Sequence, residues 1–334
     1  MPPSAFDEYL DAIEGDLRHA ALAFEPQTYA GLVDMVAYHH GWAGAPSGRG
    51  KRVRPLLTVL ACQACGADWR GALPAASAVE LIHNFSLVHD DIEDHSDTRR
   101  GRPTLWSRWG LPQALNTGDA LFALAHLSLH RLSELGFPAE TVLAVQRQLD
   151  EACLALTRGQ HLDMAFEGLA QVSRTAYAEM VDGKTAALIA AAVGAGARLA
   201  AADAQRLDNF TCFGRQLGHA FQIQDDILGI WGDPAITGKP AADDLLCRKK
   251  SLPTLLGLAG SDRFRELWGS ETLDASVLQA MRAELEACGA RAATYEAAAE
   301  HTNQALAALD DASPAEPAGA LLRDLAHQML GRRH

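Results

Sequence analysis

The 334-residue sequence predicts an all-α fold, a single domain of ten or more helices spanning residues 1–334. Apolar residues recur at helical spacing along most of the chain, and no stretch alternates as a half-buried strand would. Hydrophobic residues make up 48% of the chain and aromatics only 6%, so alanine and leucine fill the interior, the composition of closely packed helices. Length alone is compatible with two domains, yet no Gly, Ser or Pro tract and no charge block stands where a linker would be.

A first helix is expected over residues 5–24; its amphipathic, acidic start is not the pattern of a secretion signal. A second covers 28–42 and ends before the glycine-containing loop 44–50. Pro55 opens a third, at the first-turn position that tolerates proline. After Gly71 and Pro74, residues 75–94 form a long helix ending in an acidic cluster, and 98–104 form a basic loop. Helices follow over 111–135, 139–165, 173–182 and 184–201, then over 203–231, which ends just past a second acidic cluster. Gly232 with Pro234 and Gly238 with Pro240 mark a long loop. Helices resume over 252–259, 274–287, 291–310 and 318–331, with a loop at 311–317.

The formal charge of −13 argues against nucleic acid or an anionic membrane as the main partner, and requires any anionic substrate to be met by local clusters of Lys and Arg. Six cysteines form no disulfide framework; Cys62 and Cys65, alone as a CxxC pair in an apolar helix, are expected to be buried thiols. That usage fits a reducing cytoplasm. The longest apolar run, 186–197, is too short to span a bilayer and is expected to be a buried helix, so no transmembrane segment is predicted.

The chemistry lies in the two acidic clusters. The first reads His89-Asp90-Asp91-Ile92-Glu93-Asp94, the second Gln222-Ile223-Gln224-Asp225-Asp226-Ile227-Leu228-Gly229. Asp90 and Asp94 are four residues apart, so their carboxylates leave one helix face about 6 Å apart along the axis. Like charges at that spacing repel unless water or a divalent cation separates them. Two such helices facing each other would cage several Mg²⁺ ions and a diphosphate, since Mg²⁺ takes few protein carboxylates and is completed by water and phosphate oxygens.

Basic groups bracket these clusters. Lys51 and Arg54 stand at a helix N-terminus, where free N–H groups already favour anions. Arg99 and Arg100 follow the first cluster, Lys184-Thr185 opens an apolar helix, and Lys239 with Lys249 and Lys250 lies beyond the second cluster. Each group alone reads as a capping or snorkelling charge; the whole set, in an acidic chain, does not.

The order Gly50-Lys51-x-x-Arg54-Pro55, Glu80-x-x-His83, Asp90-Asp91-x-x-Asp94, Arg99-Arg100-Gly101, Gly118-Asp119, Gly159-Gln160-x-x-Asp163, Gly183-Lys184-Thr185, Phe221-Gln222-x-x-Asp225-Asp226, Gly238-Lys239 and Lys250-Ser251 resembles the trans-isoprenyl diphosphate synthases, or polyprenyl synthetases, colinearly from about residue 48 to 260. The resemblance implies an all-α bundle around a central cavity, a homodimer, and three Mg²⁺ ions. It implies that Asp90 and Asp94 bind two of the ions, with Asp163 as a further ligand, and that Asp225 binds the third. It implies that Arg99, Lys184 and Lys239 clamp an allylic diphosphate, with Lys250 in the same basic set. Lys51, Arg54, His83 and Arg100 would hold isopentenyl diphosphate, and Thr185 and Gln222 would steer the allylic cation. The departing diphosphate would take the proton lost at the end, in keeping with the lack of a nucleophile–His–Asp constellation. His89 is expected to be a helix-face residue beside the metals rather than a base.

Three departures bear on the expectation. Gly229 stands where the second motif has its third aspartate, which implies activity with a raised Mg²⁺ requirement that Gly229→Asp would relieve. Val53 replaces a polar residue of some relatives. Phe85, five residues before Asp90, lies roughly 7.5 Å further down the helix axis, on the face below the metals, while Ser86 is too small to close the cavity; without a two-residue insertion in the motif, this resembles the geranylgeranyl pattern, which implies a C20 product. The rival readings are a class I terpene cyclase, which needs no second diphosphate site, a phosphohydrolase built on His89-Asp90 with His39 and His40, and a non-catalytic partner subunit of a prenyl synthase. Residues 261–334 carry no predicted site; the basic end after Leu330 is expected either to be a solvated helix terminus or, as the resemblance to some relatives implies, to fold over the isopentenyl diphosphate site.

Overall fold

The computed structural model describes residues 5–23, 28–43, 50–233 and 242–331. It is all-α, and 78% of it is helical. The helices are α1 (Asp7–Ala21), α2 (Ala30–His39), α3 (Val53–Ala64), α4 (Leu73–Glu93), α5 (Leu105–Trp109), α6 (Leu111–Glu134), α7 (Ala139–Glu167), α8 (Arg174–Val181), α9 (Ala187–Leu199), α10 (Ala204–Trp231), α11 (Asp243–Leu246), α12 (Leu252–Gly260), α13 (Asp262–Trp268), α14 (Ala275–Ala287), α15 (Ala290–Asp311) and α16 (Ala318–Leu330). The long helices fall where the periodicity places them, with ends shifted by a few residues. The short α5, α11 and α13 were not foreseen, because helices of four to seven residues are too brief to show a period.

Two local differences matter for the site. The basic segment 98–104 is a two-stranded antiparallel turn, Thr98–Arg99 paired with Arg102–Pro103, rather than a plain loop. It is closed by Arg100 and Gly101, both at positive φ (54° and 71°). The apolar helix expected from 184 begins instead with a π-helical turn, Asp182–Ala186, before α9. Such turns add a residue to one helical turn and re-aim the side chains on it.

The described residues group into two compact units. The first comprises residues 1–151, 191–210 and 312–322. Its core is built from Ile13 and Leu17 of α1, Leu57 and Leu60 of α3, Leu81 and Ile82 of α4, and Leu121, Leu129 and Leu132 of α6, all fully buried. Residues 74–82 of α4 are buried on every side, as befits a central helix. Burial then lapses toward its C-terminus, so the helix carries its acidic end from the core to the surface. The second unit comprises residues 152–190, 211–311 and 323–334. Its core gathers Tyr177 and Val181 of α8, Ile223, Ile227 and Ile230 of α10, Leu252 and Leu255 of α12, Phe264 of α13, and Met281 and Leu285 of α14.

The stretch Arg174–Leu199 is long and apolar enough to cross a membrane, and 89% of its most apolar window is buried within the protein. The cysteines are free; Cys62 is buried, and burial pushes its thiol up to about 12.

Candidate active site

In the first unit the basic groups converge. Arg52, the residue before α3, takes a left-handed conformation (φ 51°, ψ 36°). A buried ion network holds it there. Its guanidinium donates to Glu80 of α4 (2.8 Å), Glu14 of α1 (3.1 Å) and the His40 carbonyl (3.2 Å). Burial would lower the Arg52 pKa, but Glu80 and Glu14 more than reverse it. Lys51 and Arg54 flank this anchor; Lys51 is exposed. Arg54 Nη1 donates to His83 Nε2 at 3.2 Å. A guanidinium only donates, so the His83 proton sits on Nδ1. Burial, then Arg54, Arg100 and Arg99, push the His83 imidazole well below its ordinary value. The Arg100 guanidinium packs on Gly50, 3.0 Å from where a β-carbon would lie. Four of the predicted residues, Arg54, His83, Arg99 and Arg100, thus share one electropositive neighbourhood.

The first acidic cluster ends α4. Asp91 is buried and accepts from Arg99 Nε at 2.7 Å, a structural pair the sequence reading did not separate from its neighbours. Asp94, exposed, is the C-cap, with its N–H on the Asp90 carbonyl (2.8 Å). The negative end of a helix dipole disfavours carboxylates and favours a cation beside them. Four residues before Asp90, Ser86 turns into the core and donates to the His83 carbonyl (2.9 Å). Phe85 faces the other way. Its ring lies 4.8 Å from His89 and 5.2 Å from Phe122 of α6. His89 is a helix-face residue, 3.8 Å from Asp119. Phe122 was missed, since nothing in the sequence pairs α4 with α6.

In the second unit the π turn aims Lys184 at Asp163 of α7 (2.5 Å) and Thr185 at Gln222 of α10. The approach is close: a β-carbon on Gly159 would lie 2.1 Å from the Lys184 nitrogen, which explains glycine in that motif. The Thr185 hydroxyl donates to the Gln222 carbonyl oxygen (2.8 Å), and the Gln222 amide donates to Asp226 (3.1 Å). Asp226 is buried and also accepts from the Tyr177 hydroxyl (2.5 Å) and the Leu252 N–H (3.0 Å). Its lone pairs are thus committed to structure, which leaves Asp225, half-buried, as the motif's ligand candidate.

Lys249 and Lys250 stand in different surroundings. Lys250 lies over the Trp268 ring, 5.2 Å from its centre. Lys249 is the lysine among the carboxylates. Burial would lower its pKa, but Asp244, Asp226, Asp163 and Asp225 outweigh that and raise it. No periodicity distinguishes two adjacent lysines; the start of α12 decides which one turns inward. Gly229 lies against Asp244 of α11, whose carboxylate is 2.5–2.6 Å from where a β-carbon would be. The space of the missing third aspartate is therefore occupied by another aspartate. Lys239 lies outside the described residues.

Residues 44–285 match the polyprenyl synthetase family, and the chain belongs to it. It is a short-chain trans-prenyl diphosphate synthase, a transferase making farnesyl or geranylgeranyl diphosphate. It is 41% identical to the (2E,6E)-farnesyl diphosphate synthase of Mycobacterium bovis, over 97% of this chain and 91% of that protein. It is 40% identical to the geranylgeranyl diphosphate synthase of Mycobacterium tuberculosis, over 84% of this chain and 82% of that one. The crystal structure of geranylgeranyl pyrophosphate synthase from Corynebacterium glutamicum, complexed with isoprenyl diphosphate and magnesium, superposes with a TM-score of 0.85 at 28% identity, covering 99% of this chain and 100% of that one. The family is magnesium-dependent. The donor sets here fit that ion: Asp90 and Asp94 at a helix C-terminus, Asp163 and Asp225 in the second unit, all oxygen ligands. Among the described residues no three acidic, His or Cys side chains gather as a preformed metal site; Mg²⁺ needs few protein carboxylates, because water and phosphate oxygens complete its shell.

Proposed function

We propose that this chain condenses isopentenyl diphosphate with an allylic diphosphate and releases a C20 trans-prenyl diphosphate. The observation that carries the two-substrate reading is the convergence of Arg54, His83, Arg99 and Arg100 in a chain of net charge −13. A cyclase on the same scaffold has no use for a second diphosphate site. Lys51, Arg54, His83 and Arg100 hold isopentenyl diphosphate. Arg99 and Lys184, with Lys239, hold the allylic diphosphate; Arg99 rests on Asp91 and Lys184 on Asp163 before substrate arrives. Asp90, Asp94, Asp163 and Asp225 would hold three Mg²⁺ ions, which would supply positive charge to the leaving diphosphate.

The chain's own contribution is orientation and electrostatics. The Asp226–Gln222–Thr185 relay fixes the Gln222 amide, so that the Thr185 oxygen keeps lone-pair density for the allylic cation. The arginines and Lys184 take charge as the C–O bond breaks. The double bond of isopentenyl diphosphate then attacks C1, and a proton leaves to the released diphosphate. Product length follows from the Phe85–Phe122 pair, two rings across the path of a chain growing down α4. A farnesyl product is the second reading, favoured by the Mycobacterium bovis relative. Large apolar side chains exposed on α6 (Leu115, Leu127) and α7 (Leu143) support a homodimer, and the free cysteines support action in the cytoplasm.

The test is the product spectrum. Purified protein with Mg²⁺, isopentenyl diphosphate and dimethylallyl, geranyl or farnesyl diphosphate is expected to yield a C20 alcohol after dephosphorylation, lost with EDTA. C15 or C25 would overturn the length assignment alone. A hydrocarbon from one prenyl diphosphate, or no turnover with any pair, would overturn the condensation.

A further inference from the structure

The prenyl-transfer reading leaves one pair of side chains without a role: His39 and His40, at the end of α2. His40 is fully buried against Trp42, with ring centres 4.5 Å apart, and serves the core. His39 is placed differently. Together with Tyr38, Asp91, Arg99 and Arg100 it lines a cavity of about 30 Å³, room for one or two oxygen-sized groups. Its Nε2 is shielded from solvent and meets no partner at ordinary hydrogen-bond geometry among the described residues, while the Asn84 side chain beside the ring favours its protonated form. A buried imidazole nitrogen left unpaired is costly and uncommon.

The charges around that cavity are unbalanced. Arg99 is committed to Asp91. Arg100 makes no ion pair within 4 Å among the described residues, and burial, only partly countered by Glu80, lowers its pKa. His39 itself is held neutral: burial, then Arg100, Arg99 and Arg52, push it down to about 3. Arg102 also lines the cavity, over the Tyr38 ring and donating to the Ala43 carbonyl. The cavity therefore presents two arginines with no carboxylate of their own among the described residues, beside one neutral imidazole, and calls for an anionic oxygen. A neutral ring carries a single N–H, and with that proton on Nε2 it donates where a carboxylate would be repelled and a further cation would add to the crowding.

We infer that His39 is a substrate-binding residue whose Nε2–H donates to a diphosphate oxygen of isopentenyl diphosphate, the substrate assigned to Arg100. The inference rests on the two-substrate reading above and adds α2 to the elements that touch substrate. It also explains why a histidine stands where only a core residue would otherwise be expected.

The experiment compares wild type with His39→Ala and His39→Asn, determining KM separately for isopentenyl diphosphate and for the allylic substrate. A hydrogen bond to a charged group lost from a site is worth about tenfold to a hundredfold in affinity. His39→Ala is expected to raise KM for isopentenyl diphosphate by that factor with kcat and the allylic KM little changed. His39→Asn, which keeps an N–H donor, recovers part of the loss. Unchanged KM, or equal loss for both substrates in both variants, overturns the assignment. Because a buried variant can fail to fold, ¹⁵N-histidine spectra of the wild-type chain provide a second reading. The His39 Nε2 resonance is expected to move on addition of isopentenyl diphosphate, and a static resonance in protein that turns over refutes the contact. A resonance that moves in protein with no turnover would leave the contact standing and overturn the condensation instead.

Discussion

Replacing Gly229 by aspartate would restore the third acidic residue of the second motif, and on sequence grounds should tighten metal binding. The structure predicts the opposite for folding. Any β-carbon at 229 meets the Asp244 carboxylate at 2.5–2.6 Å, closer than real side chains approach one another, and Asp244 is only 6% exposed. Gly229→Ala isolates the steric part: overpacking costs about 1–3 kcal/mol, and the gain in helix propensity over glycine returns about 1 kcal/mol. A net loss of about 0–2 kcal/mol follows. Gly229→Asp adds a second carboxylate beside the first; at about 4 Å and an effective dielectric near 20 the repulsion is about 4 kcal/mol, reduced by Lys249 nearby. The expected total loss is about 3–5 kcal/mol, read as the denaturant midpoint of the full chain. Asp244→Asn in the Gly229→Asp background should recover much of it, since neighbours that share a clash are not additive. Calorimetric Mg²⁺ titration with a diphosphate analogue completes the assay. A Gly229→Asp protein as stable as wild type, and binding Mg²⁺ more tightly, would refute the argument that Asp244 fills the space of the missing ligand.

The other predictions concern length, packing and pH. Phe85→Ala and Phe122→Ala should each lengthen the product, since one helical turn of about 5.4 Å is close to one isoprene unit; an unchanged product spectrum in both variants would remove the ring pair as the floor. Gly159→Ala must displace the π turn by its contact with the Lys184 nitrogen, at about 1–3 kcal/mol. Misplacing Lys184 and Thr185 by 1 Å costs about a hundredfold in kcat, so wild-type turnover in this variant would contradict the site geometry. His39, His40 and His83 all have folded pKa values below the ordinary 6.5, His39 at about 3, with burial the largest cause in each. Their stabilisation is complete above 6.5 and is lost as the pH falls toward the folded values, at up to about 1.4 kcal/mol per pH unit for each. Urea midpoints at pH 7 and pH 5 should therefore differ, and His40→Asn should flatten the slope; no shift between the two pH values would mean that these imidazoles are not buried neutral.

The sequence by itself determined the all-helical class, the long helices and the order of the motifs. Those properties are local: a 3.6-residue period and the i, i+4 spacing of Asp90 and Asp94 are written along one helix. Thr185 and Gln222 are linked along the chain only through the motif resemblance; in space a hydrogen bond joins them. Tertiary packing decided the rest. Lys249 rather than Lys250 faces the carboxylates because α12 starts at Leu252 and turns one of two identical neighbours inward. Asp226 is tied up by Tyr177 and the Leu252 N–H, a packing role that its place beside Asp225 in the motif does not announce. Phe122 meets Phe85, and Asp244 meets Gly229, through contacts between elements far apart in the chain. The parts played by Arg52 and His39 depend on burial and shielding from solvent, which set their charge and hydrogen bonding, and neither quantity is encoded in spacing.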